Sequence, residues 1–308
     1  MNPVTVPTVN VSIHEKRAVG ILADEICGAA RFPIFRNMTR SIFLIIIPIL
    51  SFILYLHQKR SAPICVVSTI FNDYDDPPDL PNDDRIKYIM YTDRPIMDKR
   101  WISVTTPYWK REQYGYKNSI GNTKHEAMMK SKFYKLFAWS LPETFDCRTI
   151  LYIDAQVIIA NATNLYERIL ALNPDGKMFM QLHQHNRDVS VELVAAKQQV
   201  RYVRDGVENQ TRHYFNDYRF PYKTQPLFLG GMFIYDPRVT DFHRMFRCVY
   251  RECQLWSYED QISFPFCIWL EKVNIVHMRD MCTRVFGNAP KLSQELGMPI
   301  CIRGYHKK

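Results

Sequence analysis

The longest apolar stretch of the chain comes early. Residues 41–58, SIFLIIIPILSFILYLHQ, carry no formal charge with His57 neutral, and Ile42 to Leu56 is almost wholly apolar. That length reaches the lower end of a membrane-spanning helix, and Pro48 is tolerated inside one. Arg36, Arg40, Lys59 and Arg60 flank the run. The 40 residues before it are far too many for the charged region of a cleaved signal peptide. The pattern therefore predicts an uncleaved signal anchor at 41–58. Residues 1–40 form a cytoplasmic tail and 59–308 a lumenal domain. Three Lys/Arg in the twenty residues before the run against two in the twenty after it set that orientation by a thin margin. A short span suits the thinner membranes of the early secretory pathway, in the ER or Golgi.

Beyond the anchor, short apolar runs alternate with longer amphipathic ones. APICVVSTIF (62–71), IKYIMYTD (86–93) and WISVTT (101–106) predict strands, the first two separated by a Pro/Asp-rich turn at 72–84. In HEAMMKSKFYKLFAWSLP (125–142), Met128, Lys132, Lys135 and Trp139 recur at spacings of 3 or 4, which predicts a helix ended by Pro142. TILYIDAQVII (149–159) predicts one strand, and a helix starts near Asn164. Strands follow at 178–185, 227–237 and 273–278, and helices at 190–203, 240–256 and 258–271, the last broken at Pro265. Strand–strand–helix–strand–helix order predicts an α/β fold with a mostly parallel sheet and flanking helices. Ligands of such sheets sit at the carboxyl ends of the strands.

Composition and charge narrow the picture modestly. The chain has 308 residues, 47% of them hydrophobic, enough for a substantial core. Its net charge of +9 is spread along the sequence. Zinc-finger spacing and Lys/Arg-rich blocks are absent, so nucleic acid is not an expected partner, and the excess reads as a solvated basic surface. Seven of the eight cysteines follow the anchor, consistent with one or more disulfides in an oxidising lumen. Their pairing is not legible in sequence, and an odd number leaves at least one unpaired within the chain. The sequons at Asn161 and Asn209 are candidate glycosylation sites on the lumenal side.

Five constellations carry candidate chemistry. Asp154 interrupts an apolar run where its strand could emerge at the ligand edge, with Gln156 two residues on. An acid followed by a second oxygen ligand suits Mg²⁺ or Mn²⁺ bridging a diphosphate; a carboxylate capping the next loop is the alternative. Gln156 adds no charge, so any metal there is weakly held. Lys130, Lys132 and Lys135 could hold phosphates as point charges or form a solvated face, the better reading for Lys130. His185, Arg187 and Glu192 bring together a donor, a permanent cation and an acid, or form a local ion-pair network. Gly230 and Gly231 inside a strand imply close approach of a ligand or a bulge. Glu259 and Asp260 open a helix, where acids favour the macrodipole; as a functional site, one would be the general base for an acceptor hydroxyl.

In order, YTD, SKFYKL, YIDAQVII, HNRDVSVE, LGGMFIYD and DQISF span about 88 to 264. That series resembles the plant mucilage-associated glycosyltransferase-like family, formerly a domain of unknown function and similar to nucleotide-sugar transferases of the GT-A fold. The resemblance implies a GT-A-like (Rossmann-like) sheet and transfer of a hexose from a nucleotide sugar to a glycan, protein or lipid hydroxyl. It places Asp154 as first acid of a metal motif, Gln156 in place of the second, and Lys135 at the basic position before it. His185, Arg187 and Glu192 match the middle motif and Asp260 the late acid. His277 falls roughly where related transferases supply a metal ligand. Two other classes remain: a ceramidase-like lipid amide hydrolase, for which the sequence has neither a metal–His cluster nor a G-x-S-x-G elbow, and a non-catalytic glycan-binding protein, which Gln156 alone favours.

Overall fold

The structure is a computed structural model. It describes residues 63–73, 75–78, 81–105, 107–110, 123–155, 157–159, 165–172, 174, 176–182, 188–198, 204–278 and 300–302. The predicted anchor at 41–58 lies outside them. Among the described residues no helix is long and apolar enough to cross a membrane.

The strands are β1 (Ile64–Ile70), β2 (Ile86–Thr92), β3 (Ile102–Val104), β4 (Thr149–Ile153), β5 (Val157–Ile159), β6 (Met178–Leu182), β7 (Phe228–Tyr235), β8 (Ile275–Met278) and β9 (Ile300–Ile302). The helices, here numbered α1 to α6, are Thr123–Phe137, Leu165–Leu172, Val189–Gln198, Arg204–Tyr218, Thr240–Leu255 and Asp260–Glu271. Seven strands form one sheet in the order β3-β2-β1-β4-β7-β6-β8. Its pairs are parallel except those of β7, which runs against both β4 and β6. The expected α/β class with a mostly parallel sheet is therefore present.

Strands covered on both faces read as continuous apolar runs, because both sets of alternating side chains are buried. β1 and β4 are buried throughout. Cys65, Val67, Ile150, Tyr152, Phe233 and Tyr235 point to the core shared with α1, α3, α4, α5 and α6. Ile64, Val66, Leu151, Ile153, Met232 and Ile234 point to a second core closed by Leu165 and Ile169 of α2 and by Trp101.

Four local departures from the sequence pattern matter. TILYIDAQVII is two strands, not one. β4 stops at Ile153, the Val157 N–H bonds back to the Asp154 carbonyl at 2.8 Å, and β5 leaves the main sheet to pair antiparallel with β9. The helix after Asp260 does not break at Pro265 but runs on to Glu271; the ring sits mid-helix and is buried, so the lost backbone bond is offset by core packing. Pro142 does not simply end α1. It starts a short 3-10 turn (Pro142–Thr144) after another at Ala138–Ser140, a position where its missing N–H is harmless. The sequence pattern also passes over α4 entirely.

Two disulfides pin the frame. Cys65–Cys147 ties β1 to the approach of β4, and Cys248–Cys267 joins α5 to α6. With 82 and 19 residues between the partners, loop-closure entropy alone gives about 4.5 and about 3 kcal/mol. Among the described residues Cys253 is a buried free thiol.

Candidate active site

From β1 the chain steps outward to β2 and β3, then returns to place β4 on the other side of β1. The crevice beyond the carboxyl ends of β1 and β4 is thus the point where strand order reverses, the usual ligand site of an open α/β sheet. Asp154 is the first residue past β4. Its N–H donates to the Gly231 carbonyl at 2.7 Å, extending the ladder with β7 by one pair. Its side chain remains 32% exposed.

A relay of hydroxyls holds that carboxylate. Tyr152 donates to Asp154 Oδ1 at 2.7 Å; Thr69 Oγ1 of β1 lies 3.2 Å from the Tyr152 hydroxyl and 2.6 Å from Ser131 Oγ of α1. Burial first, and the Asp154 charge second, push the phenol pKa well above its ordinary value, so Tyr152 stays a donor. Residues two apart in a strand share a face. A hydroxyl two before the acid was therefore a legible signal that motif matching overlooked, as it overlooked Thr69 and Ser131.

Beneath Asp154 lies a compact charge cluster. Lys132 and Lys135, three apart on α1, grip opposite oxygens of Asp260 at 2.7 and 2.6 Å. Lys135 Nζ is also 3.8 Å from Asp154 Oδ1 and lies over the rings of Tyr152 and Phe264 at 5.2 and 5.9 Å. Burial alone would raise the Asp260 pKa, but the two ammonium groups outweigh it and hold the carboxyl well below the carboxylate range. Lys132 is desolvated too, yet the Asp260 charge raises its pKa.

This geometry changes the roles expected of two groups. Asp260 is buried and double-bridged, hence a poor general base; it positions the two lysines. Lys135, with 2% of its side chain exposed, is also a positioning residue rather than a ligand contact. The glycine pair fits the cluster as well. A Cβ at Gly231 would sit 2.9 Å from Asp154 Oδ2, and one at Gly230 would sit 3.2 Å from Asp260 Oδ2 and 3.3 Å from Lys135 Nζ. The close approach expected of a ligand is made by the protein's own charged groups, and the register of β7 against β6 shifts across the glycine pair, from Met180 opposite Phe233 to Leu182 opposite Phe228.

Glu259 caps α6, accepting from the Gln261 N–H at 3.1 Å. It is buried; desolvation, then the neighbouring Asp260 charge, raise its pKa to about 7, with Glu192 adding to the rise and Lys132 opposing it. Glu192, in the first turn of α3, is buried and so belongs to this side of the cluster. His185, Arg187, Gln156 and Asn161 lie outside the described residues. Lys130 faces away, paired with Glu126 at 3.1 Å and over the Trp109 ring. Asn209 is exposed on α4.

His277 is not brought to Asp154. Tyr152, Phe233, Met180 and His277 form one row across β4, β7, β6 and β8, so three strand spacings, roughly 14 Å, separate it from the β4 edge. Its exposed ring packs edge-on to Phe228. Cys65, Asp146 and Cys147 cluster within ligand distance, but both thiols are locked in a disulfide. At the crevice Asp154 offers a cation a partly exposed carboxylate. One carboxylate plus phosphate oxygens and water is a sufficient set for Mg²⁺ or Mn²⁺.

No protein-family model matches the chain, and no curated protein does. Among solved structures it is similar to mouse xyloside xylosyltransferase 1 in its apo form. The TM-score is 0.45 at 7% identity, over 79% of this chain and 98% of that one. A likeness at that level carries no argument about this protein's chemistry.

Proposed function

We propose that the protein is a glycosyltransferase of GT-A type, moving a hexose from a nucleotide-sugar donor to a hydroxyl of a glycan or glycoconjugate. The observation that carries this reading is the accessible Asp154 carboxylate at the β1/β4 switch point, where α/β sheets bind nucleotides. It is fixed by Tyr152 and backed by a buried Lys–Asp–Lys cluster. The motif order that resembles the mucilage-associated family supports the same reading. Asp154 would hold the donor diphosphate through a divalent cation, which would neutralise charge on the leaving group. Asp260 and Lys135 would keep Asp154 and Lys132 in place. Glu192 and Glu259 would line the inner wall.

Residues 41–58 would anchor the enzyme in the Golgi or ER membrane with the catalytic domain in the lumen, where two disulfides are stable. Incubating the full-length chain with a panel of nucleotide sugars, with and without Mn²⁺, tests the reading. Donor hydrolysis or transfer that disappears in Asp154→Ala is expected. Full activity in that variant would refute the site, and no activity or binding with any donor would refute the class.

A further inference from the structure

The diphosphate of a nucleotide sugar carries two negative charges, and Asp154 adds another, against two positive charges from a divalent cation. Negative charge is left over in the crevice. Lys132 and Lys135 both bond Asp260, and Lys130 bonds Glu126. Charge on a leaving diphosphate is best met by a positive group already in place.

The loops that follow β1 and β2 supply such a group. The two strands finish level, Ile70 opposite Thr92, and β1 lies between β2 and β4. Val67 pairs with Tyr152, so two residues further on Thr69 is level with Asp154. Both loops therefore leave the sheet at the edge where Asp154 sits, with β2 two strand spacings, roughly 10 Å, from β4. Asn72 and Asp73 turn the chain sharply after β1 with left-handed backbone, φ 59° and 53°, a conformation in which Asn and Asp are enriched among non-glycine residues. In that turn the Asn72 N–H donates to Asp93 Oδ2 at 2.8 Å, and the Asp73 carboxylate accepts from the Arg94 guanidinium. The Arg94 guanidinium is thereby held at the exit of β1, the strand beside β4. The Arg94 and Asp73 side chains are 55% and 54% exposed. An ion pair this open contributes little, because water solvates both partners nearly as well. A phosphate offers the same fork of acceptor oxygens with more charge.

We infer that Arg94 binds the donor diphosphate and exchanges Asp73 for a phosphate when the nucleotide enters. Asp73 then has two effects: it holds the guanidinium at the crevice in the free protein, and it competes with the phosphate for it. The Asn72–Asp93 bond keeps the two loops together while Arg94 changes partner. This rests on the nucleotide-sugar reading above and adds a cation from the protein itself.

Calorimetric titration of UDP, and separately of uridine, into the full-length chain in Mn²⁺ tests this, with the variants Arg94→Ala, Arg94→Lys and Asp73→Asn. The pair is exposed, so thermal unfolding should be the same in all four proteins, which separates lost contacts from lost folding. UDP binding should weaken roughly tenfold in Arg94→Ala and recover in part in Arg94→Lys, which keeps the charge but not the fork. Asp73→Asn should tighten UDP binding roughly threefold, since it removes the competitor. Uridine, which has no phosphate, should bind all four alike. Wild-type UDP affinity in Arg94→Ala would overturn the inference and leave the proposed function standing. So would a loss in Asp73→Asn as large as that in Arg94→Ala, which would make the pair a brace between the loops. Equal weakening of uridine and UDP in Arg94→Ala would move the contact to the nucleoside and overturn the inference too. Absence of binding by the wild type, with other nucleoside diphosphates also silent, would overturn both.

Discussion

Asp260→Asn is the perturbation that most severely tests the charge cluster. The substitution keeps the shape of the side chain and removes its charge. It leaves two ammonium groups facing a neutral amide in a site where the Lys135 and Asp260 side chains are 2% and 6% exposed. Removing one partner of a buried pair costs about 3–5 kcal/mol, because the charge left behind is uncompensated. Here two charges are left behind, so the upper half of that range applies. For a domain of this size, each kcal/mol moves the midpoint by about 2–4 °C, giving a fall of roughly 8–20 °C. Thermal unfolding of the full-length chain, followed by tryptophan emission, measures it. Pairing Asp260→Asn with Lys135→Met should recover part of the loss, since the double variant removes one of the two stranded charges. A midpoint within about 2 °C of wild type for Asp260→Asn alone would refute the reasoning. The two lysines would then have water or other partners available, and Asp260 would be free for direct chemistry.

Three further outcomes follow from the same geometry. Gly231→Ala should push Asp154 aside and lower donor affinity with little change in stability, whereas Gly230→Ala meets two fixed buried groups and should destabilise by about 1–3 kcal/mol; donor titration and thermal unfolding of both variants separate these effects. Tyr152→Phe removes the donor that orients Asp154 and should lower kcat/KM roughly tenfold, while Tm changes little because the ring stays packed on Phe233; an unchanged kcat/KM would exclude the relay from function. The raised pKa of Glu259 means that the folded state holds a proton the unfolded chain releases, so stability falls as pH rises from about 4.5 to about 7. Glu259→Gln, which keeps the cap acceptor, should flatten that slope and raise stability at pH 8, as denaturation midpoints against pH will show.

The elements with uninterrupted apolar runs are legible in sequence, since a strand buried on both faces leaves no other pattern. Asp154 stands out for the same reason: an acid in such a run marks where the strand leaves the core. α4 is not legible. Its sequence, RDGVENQTRHYFNDY, is largely polar, and its inward positions include Gln210, which bonds Tyr214 and Ser263 at 2.9 and 3.0 Å. The stacking of Tyr214 on Phe266, at 3.6 Å between centroids, and the buried Val207 make that face part of the core. The role of Asp260 is hidden for another reason. An acid in a first helical turn reads as a solvated cap or a base until the fold delivers two lysines from a distant helix. The same long-range closure explains the glycines, whose neighbours across the sheet cannot be inferred from LFLGGMFIYD alone.

The account rests on Asp154 as the anchor of a nucleotide diphosphate at the switch point. Equilibrium binding of UDP and other nucleoside diphosphates to the full-length chain and to Asp154→Ala, at matched ionic strength with and without Mn²⁺, tests that directly. The account predicts binding by the wild type in Mn²⁺ that weakens at least tenfold in Asp154→Ala. Equal affinity for both proteins under both conditions would contradict it.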